Sequence, residues 1–219
     1  MTNVGTKVGS FVPVRVGIAE SAGPEAALVA ALLAVGGLSS AAADALDGRG
    51  LRLAVPASVI PPLGDGHAVV GRALTLRYLP ARAEVGAREP LGRLAHRTVF
   101  DLAEAGDVLV ISAPASIDAS VMGGEALAAA RQTGIAAVVV DGAVRDIDEL
   151  LAVGVPVWTR RRTLLTGRGR IDAAEINGPI EIAGVQVVPG DIVVADASGI
   201  AFVPADLFAE VARQILGHD

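Results

Sequence analysis

The pattern of apolar and polar positions along the chain predicts a succession of helices and strands. Helices are expected over residues 24–35, 41–46, 91–105, 122–133 and 204–216, and a short one ends near Val153. Pro24 suits a first helical turn, and two glycines after residue 35 end that helix. Ser39 or Ser40 is expected to cap the second helix and Gly48 to stop it.

Strands are predicted between these helices. Residues 67–79 alternate enough to form a strand exposed on one face, and residues 108–112 and 154–159 form further strands. Residues 135–140 are apolar and rich in β-branched side chains, which is typical of a central strand covered on both faces. The order of strand 108–112, helix 122–133 and strand 135–140 predicts a parallel βαβ unit with a right-handed crossover.

The C-terminal third changes character. Short strand-like segments cover residues 179–182, 185–188, 192–195 and 200–203, which predicts a β-meander before the last helix. No linker or repeat is visible. We therefore expect a polar N-terminal arm over residues 1–21 and a single layered α/β domain over residues 22–219.

The composition of the chain indicates where the protein is located and whether it contacts other subunits or a membrane. Of 219 residues, 52% are hydrophobic and 19% charged, which suits one large core and predicts surface committed to subunit contacts. The longest apolar stretches are shorter than the ~20 residues that span a bilayer, so no membrane segment is expected. Residues 1–10 lack the apolar segment of a secretory signal and the chain has no cysteine, so a cytoplasmic location is expected.

The net charge of −6 argues against nucleic-acid binding. A local arginine cluster is the exception, and we interpret it as a solvated loop or the rim of an anion site: Arg160, Arg161, Arg162, Arg168 and Arg170.

The residue types that the chain lacks, or has only once, exclude several catalytic mechanisms. Lys7 is the only lysine, so Schiff-base catalysis is not expected, and without cysteine there is no thiolate nucleophile. The three histidines are scattered without metal-ligand spacing, and no serine-hydrolase, Walker or dinucleotide motif is present. Carboxylates, arginines and glycine turns remain. They suit Mg²⁺- or Mn²⁺-assisted chemistry on a small oxo-acid.

Arg145 and Asp146 are the main candidates for such chemistry. They follow the apolar run at 135–140 through a turn led by Gly142, at a sheet edge where α/β proteins commonly bind ligands. The Arg145 guanidinium can form two parallel hydrogen bonds with the carboxylate of a substrate, while the neighbouring Asp146 carboxylate can bind a hard cation. From spacing alone, a surface ion pair that caps the following helix explains the two residues equally well.

A series of short motifs resembles one family. In this order the chain has ADALD at 43–47, GDVLV at 106–110, MGGE at 122–125, VDGAVRD at 140–146, PVW at 156–158, PGD at 189–191 and ADASGI at 195–200. The series resembles the RraA-like family, which includes class II 4-hydroxy-4-methyl-2-oxoglutarate/4-carboxy-4-hydroxy-2-oxoadipate (HMG/CHA) aldolases and regulators of ribonuclease E activity.

The resemblance implies a swivelling α/β/β/α fold, assembled as a homotrimer or hexamer with sites at subunit interfaces. It implies retro-aldol cleavage of a 4-hydroxy-2-oxo acid to pyruvate and an oxo-acid, together with oxaloacetate decarboxylation. Asp146 would anchor the divalent metal, and Arg145 would bind the substrate and balance enolate charge. The turn formed by Gly123, Gly124 and Glu125 would bind the pyruvyl end through its backbone N–H groups.

The chain also departs from the family pattern. Many of the aldolases have Trp where this chain has Met122 and an acidic residue where it has Gly124, which leaves Glu125 as the nearest carboxylate for the waters around the metal. Two other interpretations stay open: a noncatalytic regulator that binds a ribonuclease, and a structural oligomer. Glu125 is equally explained as an acid at a helix N-terminus. We interpret Asp196 as a turn former and Trp158 as part of the core.

Overall fold

The computed structural model describes residues 15–17, 22–81 and 91–217, with only the backbone at 91–95 and 97. The helices are α1 Ala26–Leu33, α2 Leu38–Asp47, α3 Leu91–Leu102, α4 Gly124–Gln132, α5 Ile147–Val153 and α6 Phe208–Leu216. The strands are β1 Arg15–Val16, β2 Ala54–Pro56, β3 Pro62–Leu63, β4 Val69–Pro80, β5 Val108–Ser112, β6 Ser120–Met122, β7 Ala137–Val144, β8 Val157–Arg162, β9 Ile171–Ile176, β10 Ile180–Ile182, β11 Val185–Val187, β12 Ile192–Asp196 and β13 Gly199–Val203.

A long curled sheet organises the chain, with the strand order β2-β13-β12-β4-β5-β7-β8-β3. Strand β4 joins two half-sheets, one formed by β2, β13 and β12 and the other by β5, β7, β8 and β3. Residues 69–72 pair with β12 in antiparallel fashion, and residues 73–77 pair with β5 in parallel. The first eight residues of β4 are all buried. The prediction that this strand is exposed on one face was therefore wrong, because both of its faces are covered where it passes from one half-sheet to the other.

Three apolar cores separate four layers. On β7, Val140 packs toward α3, α4 and α5, whereas Val139 faces the core between the two half-sheets. On β12, Val193 faces that same central core, whereas Val194 packs toward α1, α2 and α6. Side chains of a strand alternate between its faces, so each half-sheet has one helix-covered face and one sheet-covered face. The predicted layered α/β fold is confirmed.

Among the described residues, no single helix is long and apolar enough to cross a membrane. Helices α1 and α2 reach that length and composition only together, and they are bent by 106° at their junction.

The predicted parallel βαβ unit is confirmed, since β5 and β7 pair in parallel with α4 between them. Its boundaries differ from the prediction, and two of the differences affect the candidate site. Met122 ends β6 and α4 begins only at Gly124. Strand β7 continues from Asp141 to Val144, where a turn led by Gly142 was predicted, because its pairing with β8 resumes at Ala143 after an irregularity. Arg145 consequently follows a strand directly.

The C-terminal strands do not form the single meander that was predicted. Strands β10 and β11 form a separate two-stranded sheet, whereas β12 and β13 pair with each other inside the large sheet. Strand β9, which was not predicted, pairs antiparallel with β4. Strand β1 lies in the predicted N-terminal arm and pairs in parallel with β9; residues 1–14 and 18–21 of the arm lie outside the described residues.

A distant carboxylate holds the start of α2. The helix begins at Leu38, so Ser39 lies inside its first turn and is not its cap. The backbone N–H and the hydroxyl of Ser39 both donate to the carboxylate of Asp196, at 2.9 and 2.6 Å. Ser198 N–H donates to the same carboxylate, and Trp158 Nε1 donates to the Asp196 carbonyl. Asp196 and Trp158 therefore join β12 to α2 and β8, which agrees with their structural interpretation.

Asp196→Asn is expected to lower the free energy of unfolding by about 2 kcal/mol at pH 7, since hydrogen bonds to a charged group each contribute about 1.5–3 kcal/mol. Burial raises the pKa of Asp196, but the hydrogen bonds from Ser39 and Ser198 outweigh burial and hold the pKa below its ordinary value. The ionised carboxylate therefore stabilises the fold above an unfolded-state pKa of about 3.9, and this contribution is lost as the pH falls through the lower folded-state pKa.

Urea unfolding between pH 7 and pH 3 measures this effect. The gap between wild type and Asp196→Asn should narrow at the acidic end, while the exposed Asp44→Asn control follows the wild type at every pH. A gap that stays constant with pH would contradict the assignment.

Candidate functional site

Arg145 and Asp146 lie at the junction between β7 and α5. The backbone N–H of Arg145 donates to the Met122 carbonyl at 3.1 Å, which ties this junction to the residue just before Gly123. Asp146 takes the N-cap position of α5 with φ 57° and ψ 51°, a left-handed conformation that Asp and Asn adopt more readily than most residues. Two strand ends, β6 and β7, therefore place the Gly123 turn and the Arg145–Asp146 pair side by side.

The side chains of the pair contact each other but do not cap the helix. Arg145 Nε lies 3.3 Å from Asp146 Oδ2, and each side chain is 38% exposed. Asp146 makes no side-chain hydrogen bond to the first turn of α5. The capping explanation is thus not supported, although the ion pair is present. Both side chains keep free surface with which to bind a ligand.

Gly123 leaves room for this pair. A Cβ atom built on Gly123 would lie 2.7 Å from Asp146 Oδ2 and 3.2 Å from Arg145 Nε. Its backbone is extended, at φ −144° and ψ 179°, so any residue could adopt its conformation. A side chain at position 123 would therefore displace the Asp146 carboxylate, so glycine here keeps the present arrangement of the pair through the space it leaves and not through its backbone freedom.

Gly124 faces a residue that the sequence did not single out. A Cβ atom built on Gly124 would overlap the Glu149 carboxylate and would lie 2.6 Å from Glu149 Cβ and 3.0 Å from Glu149 Cδ. Glu149 stands three residues after Asp146 in the first turn of α5, so helical spacing puts both on the same side. That spacing was the signal available in the sequence, but it does not show which glycine the side chain would cover.

Glu125, in contrast, projects from the first turn of α4 and is exposed. Among the described residues it has no hydrogen bond or ion pair to Arg145 or Asp146. The structure therefore brings Gly123, Gly124, Arg145 and Asp146 together but leaves Glu125 apart from them. Its assignment to the site stays a prediction.

The donors at this site suit a divalent ion that keeps most of its water. No group of three or more His, Asp or Glu side chains in the described part of the chain is arranged to hold a metal. Asp146 offers a hard carboxylate that no helix cap uses, and this carboxylate lies beside Gly123, which has no side chain of its own. Mg²⁺ commonly binds through one or two carboxylates while retaining waters, so these residues fit it.

Among the described interactions, three of the five arginine side chains in the cluster donate to protein partners: those of Arg160, Arg161 and, to the Thr166 carbonyl, Arg170. Strand β8 runs through residues 160–162, which were predicted to lie beyond it. Arg160 pairs with Asp141, which also accepts the Ala183 N–H of the β10–β11 hairpin. Arg161 donates to the carbonyls of Ala115 and Ile117. These two arginines therefore fix neighbouring segments of backbone.

An open cleft lies elsewhere, at the carboxyl ends of β4 and β5 beside the β10–β11 hairpin. Its lining includes Arg77, Ser112, Glu181 and Gln186, and none of the predicted site residues. Arg77 is engaged by Glu175 at 2.8 Å. The candidate chemistry therefore lies outside this cleft.

Comparison with known proteins agrees with the motif series. The RraA-like family (Aldolase/RraA) matches residues 39–202. A 4-hydroxy-4-methyl-2-oxoglutarate aldolase of Thermus thermophilus is 31% identical over 150 residues, covering 67% of this chain and 82% of that protein. Protein DlpA of Legionella pneumophila is 32% identical over 180 residues, which cover 81% of this chain but 28% of DlpA.

A solved structure shares the fold. Streptomyces coelicolor RraAS2, described as an unusual member of the RNase ES inhibitor RraA protein family, superposes with a TM-score of 0.76 and 29% identity. The match covers 89% of this chain and 92% of RraAS2. With the family match, the ordered motifs and this common fold, the chain belongs to the RraA-like (Aldolase/RraA) family.

Proposed function

We propose that this protein is a divalent-metal-dependent lyase that cleaves a 4-hydroxy-2-oxo acid of the HMG/CHA type to pyruvate and a second oxo-acid, and that it also decarboxylates oxaloacetate. One observation carries the proposal: Arg145 and Asp146 meet over Gly123 without capping α5. A relative named as an aldolase supports the same class of reaction.

Arg145 has the geometry for the substrate end of this reaction. Its guanidinium is partly exposed beside the side-chain-free Gly123, so a substrate carboxylate or 2-oxo group can approach it. On cleavage the 4-hydroxyl would give its proton to solvent water, the C3–C4 bond would break to leave a carbonyl at C4, and the electron pair would move to C3 of the pyruvyl part. Arg145 would balance the enolate charge until C3 takes up a proton.

Asp146 would hold the metal, Mg²⁺ or Mn²⁺, directly or through water. When bound, such an ion would polarise the 2-oxo group, the task that an iminium-forming lysine performs in metal-free aldolases. The first N–H groups of α4, which begins after Gly123, lack carbonyl partners within their own helix and would bind oxygens of the pyruvyl end. This combination needs no lysine or cysteine.

Assembly forms part of the proposal. We expect a homotrimer or hexamer with sites at subunit interfaces. Leu164, which is 85% exposed, and Leu151, which is 49% exposed, are apolar surface that subunit contacts could cover.

A noncatalytic regulator that binds a ribonuclease is the second candidate function. The observation that favours it is the fold shared with RraAS2, a member of an RNase inhibitor family by its description. Such a role would need neither Arg145 nor Asp146, so substitution of these residues separates the two functions.

Pyruvate release tests the lyase proposal. We expect the protein to release pyruvate from a panel of 4-hydroxy-2-oxo acids and from oxaloacetate when Mg²⁺ or Mn²⁺ is present, as followed with a coupled lactate dehydrogenase. Exhaustive chelation should abolish this activity, and added metal should restore it. Borohydride with substrate should leave the activity unchanged, because no lysine forms an iminium. Full activity after chelation would exclude the metal-dependent mechanism.

A further inference from the structure

The start of α5 places two carboxylates, that of the N-cap Asp146 and that of Glu149 in the first turn, against two consecutive glycines. Asp146 lies over Gly123 and Glu149 lies over Gly124, each where the side chain of a larger residue would begin. Gly124 is buried, whereas Glu149 keeps an exposed side chain. The positions that side chains of residues 123 and 124 would take are therefore filled by acidic side chains from the start of α5.

Neither the helix cap nor an ion pair accounts for the position of Glu149. In a capping box, the acid at this place would accept the backbone N–H of residue 146, but no such hydrogen bond is present. Among the described ion pairs, Arg145 contacts only Asp146 in this region. Arg145 pairs with Asp146, whereas the described ion pairs give Glu149 no cationic partner, so its negative charge is available to a divalent cation bound nearby.

We infer that Glu149 is a positioning residue for the metal, accepting hydrogen bonds from its bound waters while Asp146 holds the ion. This inference rests on the proposed metal-dependent function and deepens it. The sequence suggested Glu125 as the carboxylate for the waters around the metal. We assign this role to Glu149 instead, because its side chain is the one that lies over Gly124. In this arrangement glycine at position 124 leaves the space that the Glu149 side chain occupies.

The affinity for Mn²⁺, measured by the electron paramagnetic resonance of free Mn²⁺ during titration, tests the inference without requiring turnover. Glu149→Gln keeps the shape of the side chain and removes its charge. We expect it to weaken Mn²⁺ binding about tenfold, with the melting temperature of the metal-free protein unchanged. Asp148→Asn, an exposed neighbour on the same turn, is the matched control and should stay within twofold of the wild type.

Gly124→Ala should move the Glu149 carboxylate without changing any charge. Its new Cβ would overlap the Glu149 carboxylate and lie 2.6 Å from Glu149 Cβ, so both this side chain and the start of α5 must shift, and Mn²⁺ affinity should fall at least as much. Because both substitutions act through one carboxylate, their effects should not add in the double variant. Glu125→Gln should leave the affinity unchanged.

The outcomes separate this inference from the proposed function. Wild-type affinity in Glu149→Gln, or a loss in Glu125→Gln instead, overturns the role of Glu149 even if the wild type releases pyruvate. A wild type that binds Mn²⁺ with the expected dependence on Glu149 but cleaves no oxo-acid supports the inference and refutes the lyase. A wild type that takes up no Mn²⁺ refutes both.

Discussion

Arg145→Lys and Asp146→Asn are each expected to lose about a hundredfold in turnover while melting near the wild-type temperature. Removing a charge-assisted contact made in the transition state commonly costs about 3 kcal/mol, which corresponds to that factor. Both side chains are 38% exposed and neither belongs to a core, so the fold should be little affected.

The choice of substitutions follows from the geometry. Lysine keeps the charge of Arg145 but presents a compact ammonium in place of a planar fork, so it cannot reproduce two parallel hydrogen bonds to a carboxylate. Asparagine keeps the size of Asp146 and also tolerates its left-handed backbone at φ 57°, whereas alanine would add backbone strain.

Steady-state assays of pyruvate release together with melting curves measure both quantities, and Asp148→Asn is again the matched control. Asp146→Asn should also raise the metal concentration needed for half-maximal activity. If the wild type turns over no oxo-acid, yet binds a ribonuclease equally well with both residues replaced, the regulator is the correct function and the site assignment is wrong.

Asp107→Ala is expected to cause the largest loss of stability, about 3–5 kcal/mol, because it leaves a buried guanidinium without its main partner. Arg72 Nε and Nη2 each donate to one oxygen of Asp107 at 2.9 Å, and their side chains are 8% and 3% exposed. The hydrogen bond to Asp107 is the main reason that the pKa of Arg72 lies above its ordinary value.

The position of this pair explains the size of the effect. Arg72 is the last residue of β4 that pairs with β12, and the next residue begins the pairing with β5. Asp107 immediately precedes β5 and also accepts the Glu104 N–H at 2.8 Å. The pair therefore fixes the point at which β4 passes between the two half-sheets.

Thermal unfolding of Asp107→Ala should show a melting temperature roughly 10 °C below the wild type, since 1 kcal/mol shifts a protein of this size by about 2–4 °C. Glu104→Ala is the control. Glu104 also contacts Arg72, at 3.2 Å, but it is 69% exposed, so its loss should cost less than about 1 kcal/mol. Equal losses in the two variants would show that burial of the pair does not determine its contribution.

Local patterns determined much of the fold. Strand β5 has the predicted bounds, and α4 and β7 follow it in the predicted order, because apolar periodicity reports directly which faces of a segment are buried. The motif series likewise identified the family without any tertiary information. Arg145 and Asp146 were recognised as neighbours, since adjacency in the chain is visible in the sequence itself.

Long-range pairing decided the rest. Alternation in β4 predicted an exposed face, but its two faces are covered by elements distant in the chain, and no local pattern encodes that crossing. Ser39 or Ser40 was predicted as the cap of α2, yet Ser39 lies inside the helix and its partner is Asp196, 157 residues away. The acid nearest in sequence to the glycine turn is Glu125, whereas the packing of α5 against α4 brings Glu149 onto Gly124. Periodicity fixes which face of an element is buried, but only tertiary packing decides which distant side chain fills the space beside it.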